Sequence, residues 1–274
     1  MNQEDIISLQ KALERLLHQI QNHQQSKTPI YEVKKLLSEA SAKEDFEFKT
    51  KVLENLELLN SAICDPLGLG KLNLMLKNAR VPKKYYDIFY EMLGGGNQVC
   101  IDCGAHAGLI SDILLHCGAF VYSFEPNRYL NFFLKKKYQA NTKIQLFNKA
   151  VGHKNFYTQF LTFQGRILSQ GNRIVSSLQD KETSEAYEVE VIDLCEFIET
   201  LLEKNESIYF LKLDIEGAEF ELMEKLIQKG LYKAIKYIAC ETHEYMFEES
   251  EKKLAKISNL IKKHKTDNIF LDWV

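Results

Sequence analysis

The chain has 274 residues, 45% of them hydrophobic and 27% charged, enough for one α/β domain with an appendage or for two small domains. Its net charge of −3 supplies no global field that would gather nucleic acid or an acidic membrane surface. No run approaches the roughly 18 apolar residues of a membrane span, and the opening MNQEDIISLQ lacks the basic-then-apolar layout of a secretory leader, so a cytoplasmic protein is expected.

Residues 1 to about 80 read as helical. Ile6, Leu9, Leu13, Leu16 and Ile20 recur at helical spacing, a stripe that suits either a helix packed on its own domain or a dimerisation arm making a homodimer. QNHQQSKTP breaks that helix, amphipathic segments follow at 30–40 and 44–63, and CDPLGLG punctuates again with Pro66, Gly68 and Gly70. The expected organisation is a helical N-terminal extension over 1–80 and a second domain over 81–274.

Beyond about residue 83 the pattern alternates. Strands are predicted near 98–103, 119–124, 143–147, 187–192, 207–213, 234–241 and 268–273, with a further strand at 154–163. Helices are predicted near 84–93, 108–117, 127–140, 193–204, 217–229 and 248–264. Such alternation implies an α/β fold, a mostly parallel sheet with helices on both faces, whose ligands bind beyond the carboxyl ends of the strands. Cys100 and Cys103 form a CxxC, but strand residues three apart face opposite ways and no second CxxC exists. They read, with Cys117 and Cys240, as small buried hydrophobes. The lysine clusters at 135–137 and 262–265 read as solvated helix faces.

The strand ends carry the chemistry. After the first comes DCGAHAG, Asp102 to Gly108. Gly104 permits a tight turn and Gly108 lets the next helix start close to the strand, but the spacing is not the GxGxxG of a dinucleotide site. Asp102 would repel a pyrophosphate and suits a ligand with positive charge, such as the ammonium and sulfonium of S-adenosylmethionine. After the second strand, Glu125 stands where a carboxylate accepts ribose hydroxyls, and Asn127 is a predicted helix cap. After the third, Asn148 can read an adenine edge and Ala150 leaves room for the ring. After IYFLKL comes DIEGAEFELM. There Glu216 and Glu219 suit the first turn of a helix, whereas Asp214 belongs to the strand end and should point into the cleft, within reach of Lys212. The next strand ends IACETHEY, which puts Glu241 and His243 on one face toward the same cleft.

In order, the pieces CIDCGAHAG, FEPN, FNKAVG, VSSL, VEVIDL, FLKLDIEGAEFELMEKL and IACETH resemble the FkbM-type methyltransferase family over residues 85–245. The resemblance implies a Rossmann-like, class I enzyme dependent on S-adenosylmethionine. It implies that Asp102, Gly104, Gly108 and Glu125 bind that cofactor and that Asn148 faces the adenine; His106, Asn127 and Ala150 are counted with them. His106 stands where asparagine is also common, and the chain ends soon after one last strand. Family members methylate hydroxyl groups, often on sugars, so the implied acceptor is a sugar, a glycan precursor or a related metabolite, such as a nucleotide sugar.

A sugar hydroxyl is barely acidic, so a base or a metal should help remove its proton. His243 or Asp214 is the candidate base; the alternative is a divalent cation held by Asp214 with Glu216 or Glu241. Glu216 is also counted as an acceptor contact. The segment FQGRILSQGNRIVSSLQDKETSE is expected to meet the acceptor, with Arg166 and Arg173 either as phosphate partners or as incidental charge on a surface loop. Two other classes fit the fold: an NAD-dependent oxidoreductase, against which the glycine register and Asp102 argue, and a non-catalytic partner protein with a degenerate pocket. A nucleic-acid acceptor is disfavoured by the charge balance.

Overall fold

The computed structural model describes residues 65, 68–163, 168, 173–174, 184–243 and 249–273. The chain divides into two units, Met1–Leu74 and Met75–Val274. The stripe from Ile6 to Ile20 and the segments at 30–40 and 44–63 lie outside the described residues. Helix α1 (Leu69–Asn78) begins in the first unit, where the Asp65 carboxylate accepts the Lys71 N–H at 2.9 Å.

The second unit is built of ten strands, six further α-helices and two short 3-10 turns among its described residues. The strands are β1 (Val99–Cys103), β2 (Phe120–Phe124), β3 (Ile144–Phe147), β4 (Ala150–Gly152), β5 (Phe156–Phe163), β6 (Arg173–Ile174), β7 (Ser184–Asp193), β8 (Ile208–Leu213), β9 (Ile235–Cys240) and β10 (Ile269–Phe270). The helices are α2 (Tyr86–Met92), α3 (Leu109–His116), α4 (Arg128–Lys137), α5 (Leu194–Leu202), α6 (Glu219–Gln228) and α7 (Ser250–His264).

Six strands form one sheet in the order β10-β9-β8-β1-β2-β3, every pairing parallel. Strands buried on both faces read as near-continuous apolar runs, and β1 (VCIDC) is buried at all five positions. Alternation sends side chains to two cores. Ile101, Leu211 and Leu213 pack with Ile198 of α5 and Leu222, Met223 and Leu226 of α6. On the other face Phe210 lies 5.4 Å from Phe89 of α2 and 5.8 Å from Trp273, centroid to centroid. Phe124, at the end of β2, stacks on Phe147 at 4.6 Å and meets Phe197 edge-on. Two helices start on side-chain caps: Asn127 Oδ1 accepts the N–H groups of Tyr129 and Leu130 at the start of α4, as the sequence predicts, and Asp193 caps α5 in the same way.

One strand is not where the alternation puts it. The stretch predicted at 187–192 is β7, and it belongs to a second sheet of order β4-β7-β5-β6. It pairs antiparallel with β5 and parallel with β4. Its residues Val189 and Val191 are buried while Glu188 is exposed. That one-sided burial is what antiparallel strands tolerate and central parallel strands do not. Period-2 patterning fixes which face is buried, not which strand is the partner.

Cys100, Cys103, Cys117, Cys195 and Cys240 are free and buried, and burial pushes their thiols up, to about 12 for Cys117 and Cys195. No helix among the described residues is long and apolar enough to cross a membrane.

Candidate active site

The turn after β1 is held by backbone. Gly104 and Ala105 both donate their N–H groups to the Phe124 carbonyl at 3.0 Å. Gly104 has φ +79°, and a Cβ there would stand 1.7 Å from the Asp214 carbonyl oxygen at the end of β8. Only glycine fits. Gly108, at φ +78°, opens α3; a Cβ there would meet Tyr138 Oη at 2.5 Å and Leu134 Cδ2 at 2.9 Å. The close neighbours that demand this glycine are therefore α4 and the residue after it, where the sequence suggested the strand.

Asp102 is 0% exposed. Its Oδ2 accepts the Ser111 hydroxyl at 2.7 Å, and Oδ1 lies 3.5 Å from Lys212 Nζ. Asp102 and Lys212 are register partners across β1 and β8. The same ammonium lies 3.0 Å from Asp214 Oδ2 and donates to the Gly104 carbonyl at 2.7 Å. Burial would lower Lys212, but Asp214 and Asp102 outweigh it and hold the ammonium charged. Among the described residues the cation that Asp102 faces is the chain's own Lys212, at the place where the sequence suggests a ligand's positive charge.

Glu125 follows β2 and is buried. Its Oε2 accepts the His106 N–H at 2.6 Å and its Oε1 the Asn127 N–H at 2.8 Å. Burial pushes its carboxyl up to about 7 against the opposing pull of those two N–H groups. Asn148 donates its amide to the carbonyls of Glu125 (2.9 Å) and Pro126 (3.0 Å), so it braces the loop that carries Glu125. Ala150 is buried in β4. His106 Nε2 lies 2.9 Å from the Leu168 carbonyl.

The ends of β8 and β9 bring five titratable groups together. His243, 2% exposed in its side chain, has Nε2 3.6 Å from Asp214 Oδ1, 3.5 Å from Glu216 Oε2 and 3.7 Å from Glu241 Oε1. Its Nδ1 lies 2.8 Å from Glu219 Oε1. Glu219 also accepts the Ile215 N–H (3.0 Å) on Oε1 and the Gly217 N–H (2.9 Å) on Oε2, which ties down the loop on either side of Glu216. Three residues here hold left-handed backbone, His106 (φ +48°), Glu216 (φ +55°) and His243 (φ +35°). Such conformations persist where the surroundings enforce them, and they gather at functional sites. Burial pulls the His243 imidazole down, but the Glu216 and Glu219 carboxylates push it up to about 10. The ring alone therefore keeps its proton at neutral pH. Burial and the neighbouring Asp214 raise Glu241.

A family model described as the Methyltransferase FkbM domain matches residues 102–267. The chain belongs to the FkbM methyltransferase family. No curated protein and no solved structure matches.

In this FkbM methyltransferase, the matched span starts at the buried Asp102 and takes in the glycine turn, Glu125 and the whole Asp214 cluster. Asp214 stands at its strand end and Glu219 in the first turn of α6, as the sequence predicts, whereas Glu216, expected in the same first turn, lies in the loop before it; the contact of Glu219 with His243 was not foreseen. The signal for Glu219 was its place in DIEGAE, close enough behind the loop to reach back to the loop amides, as in a capping box. Arg166 lies outside the described residues. Arg173 contributes backbone to β6, and its side chain lies outside them.

Proposed function

We propose that this FkbM methyltransferase transfers the methyl group of S-adenosylmethionine to a hydroxyl of a sugar, a glycan precursor or a related small metabolite. The observation that carries the reading is the join between two half-sites. Lys212 donates to the Gly104 carbonyl of one and pairs with Asp214 of the other. A ligand on the glycine turn is thereby held in fixed relation to the carboxylates at the end of β8.

In this reading the turn from Gly104 to Gly108 receives the amino-acid part of the cofactor, Glu125 accepts the ribose hydroxyls, and the loop braced by Asn148 lies against the adenine. The acceptor oxygen attacks the methyl carbon in line with the sulfur. The C–S bond breaks, S-adenosylhomocysteine leaves, and the hydroxyl proton passes to Asp214; were a divalent cation held by Asp214 and its neighbouring carboxylates, it would acidify the hydroxyl and the proton would pass to water. Fixing both reactants in line supplies several kcal/mol, and base assistance contributes roughly 10²–10⁴-fold. Arg166 and Arg173 are the partners proposed for phosphate if the acceptor is a nucleotide sugar.

Calorimetric titration with S-adenosylmethionine, S-adenosylhomocysteine and NAD tests the cofactor, with Glu125→Ala in parallel. The reading expects the two adenosyl compounds to bind and Glu125→Ala to weaken them. Products from a panel of nucleotide sugars are then weighed for the gain of one methyl group, which Asp214→Asn should abolish. Binding of NAD alone, or full turnover by Asp214→Asn, would overturn the reading.

A further inference from the structure

We propose that Asp214, Glu216 and His243 bind one divalent first-row transition-metal ion, of which Mn²⁺ is the probe, with Glu219 aiming the imidazole. One ligand atom from each of the three lies within 4.8 Å of the others. The separations from His243 Nε2, 3.6 Å to Asp214 Oδ1 and 3.5 Å to Glu216 Oε2, exceed the ~2.7–3.2 Å of an ordinary N–H···O bond. They approach the ~3.0–3.4 Å that separates two ligands each about 2.1 Å from one ion.

Each residue is prepared for that role. Asp214 gives Oδ2 to Lys212, which leaves Oδ1 toward the imidazole. Glu216 Oε2 is buried and accepts no hydrogen bond from the described residues. The Glu219 carboxylate on Nδ1 produces the carboxylate–histidine arrangement found behind metal-ligating imidazoles, which fixes the tautomer and turns Nε2 to the ion. Two of the three ligands, Glu216 and His243, sit on left-handed backbone, and Glu219 holds the loop on either side of Glu216. The sequence alone suggested an all-carboxylate site with Glu216 or Glu241; the geometry substitutes an imidazole nitrogen. One nitrogen with two carboxylate oxygens favours Mn²⁺, Fe²⁺ or Zn²⁺ over the all-oxygen preference of Ca²⁺. Three protein ligands leave coordination positions for a second molecule. Resting on the proposed function, that molecule is the acceptor, bound through its hydroxyl.

The experiment is titration of the full chain, stripped with chelator, with MnCl₂, following free Mn²⁺ by electron paramagnetic resonance and challenging with Ca²⁺ and Zn²⁺. One saturable site is expected. Glu216→Gln and His243→Ala should each weaken it at least tenfold, and Glu219→Gln by roughly ten- to a hundredfold. Glu203→Gln, on the surface, should leave it unchanged. Thermal melts report folding; if His243→Ala does not fold, Glu216→Gln decides. Absence of saturable binding, or binding that Glu216→Gln leaves intact, would overturn the site. Saturable Mn²⁺ binding by a chain that does not bind S-adenosylhomocysteine would support the site and remove the proposed function instead.

Discussion

The carbonyl oxygen of Asp214 fills the space that a side chain at Gly104 would need, 1.7 Å from the position of its Cβ. The turn expected to receive the cofactor and the strand end that carries the acidic cluster therefore meet backbone to backbone, in addition to the bridge through Lys212. Gly104→Ala should lower the unfolding free energy by roughly 3 kcal/mol, from a positive φ and a clash with unyielding backbone. Gly108→Ala should cost less, because its obstacles are the side-chain ends of Tyr138 and Leu134. Urea denaturation of both variants checks the order; equal losses would contradict it.

Lys212 is buried between Asp102 and Asp214. Lys212→Met strands two carboxylates without their cation, and breaking a buried pair in this way costs about 3–5 kcal/mol. Adding Asp102→Asn should restore part of that loss, since it removes one of the stranded charges. A double-mutant cycle in urea measures the coupling; strict additivity would mean that Lys212 and Asp102 do not sense each other.

Glu125 predicts a pH dependence with opposite signs for binding and folding. The ionised carboxylate is the form that accepts ribose hydroxyls, and burial pushes the group up to about 7. Affinity for S-adenosylhomocysteine should rise about tenfold from about pH 6 to about pH 8, and Glu125→Gln should flatten the profile. In the unliganded chain the folded value lies above the ordinary 4.5. Its contribution to stability is thus full below pH 4.5 and is lost as pH rises through about 7. Calorimetry across that range, with and without ligand, separates the two.

Glu219→Gln keeps the size of the side chain and replaces one acceptor oxygen with a donor. That donor must face the N–H of either Ile215 or Gly217, or the imidazole, all of which Glu219 now serves. A loss of about 1–3 kcal/mol is expected. Amide hydrogen exchange at Ile215 and Gly217 should speed up selectively; unchanged protection there would show that the loop holds without Glu219.

What could be read ahead of the structure was whatever depends on neighbours in sequence. The apolar runs of β1 and β8, the Asn127 cap and the pairing of Lys212 with Asp214 all follow from spacing of a few residues. What could not be read depends on which distant strand comes alongside. Lys212 as the partner of Asp102 requires β1 and β8 to be adjacent, although their sequences lie far apart. The placing of β7 in a second sheet likewise depends on β4 and β5, which are short or one-sided. Glu219 was hidden for a different reason: a carboxylate in the first turn of a helix has a sufficient local explanation, and nothing in its neighbours announces the histidine 24 residues on that it will touch.

The central place of β1 bears on how the chain can be made. β1 is completed on one edge by β2, which follows it directly, but on the other only by β8, the strand Ile208–Leu213. While the polypeptide is being synthesised, that second edge waits, open and apolar, until more than half the remaining chain has emerged. Edges of this kind recruit other strands. A chain halted before residue 208 should therefore collect in aggregates or on chaperones, whereas one halted just beyond β9 should not.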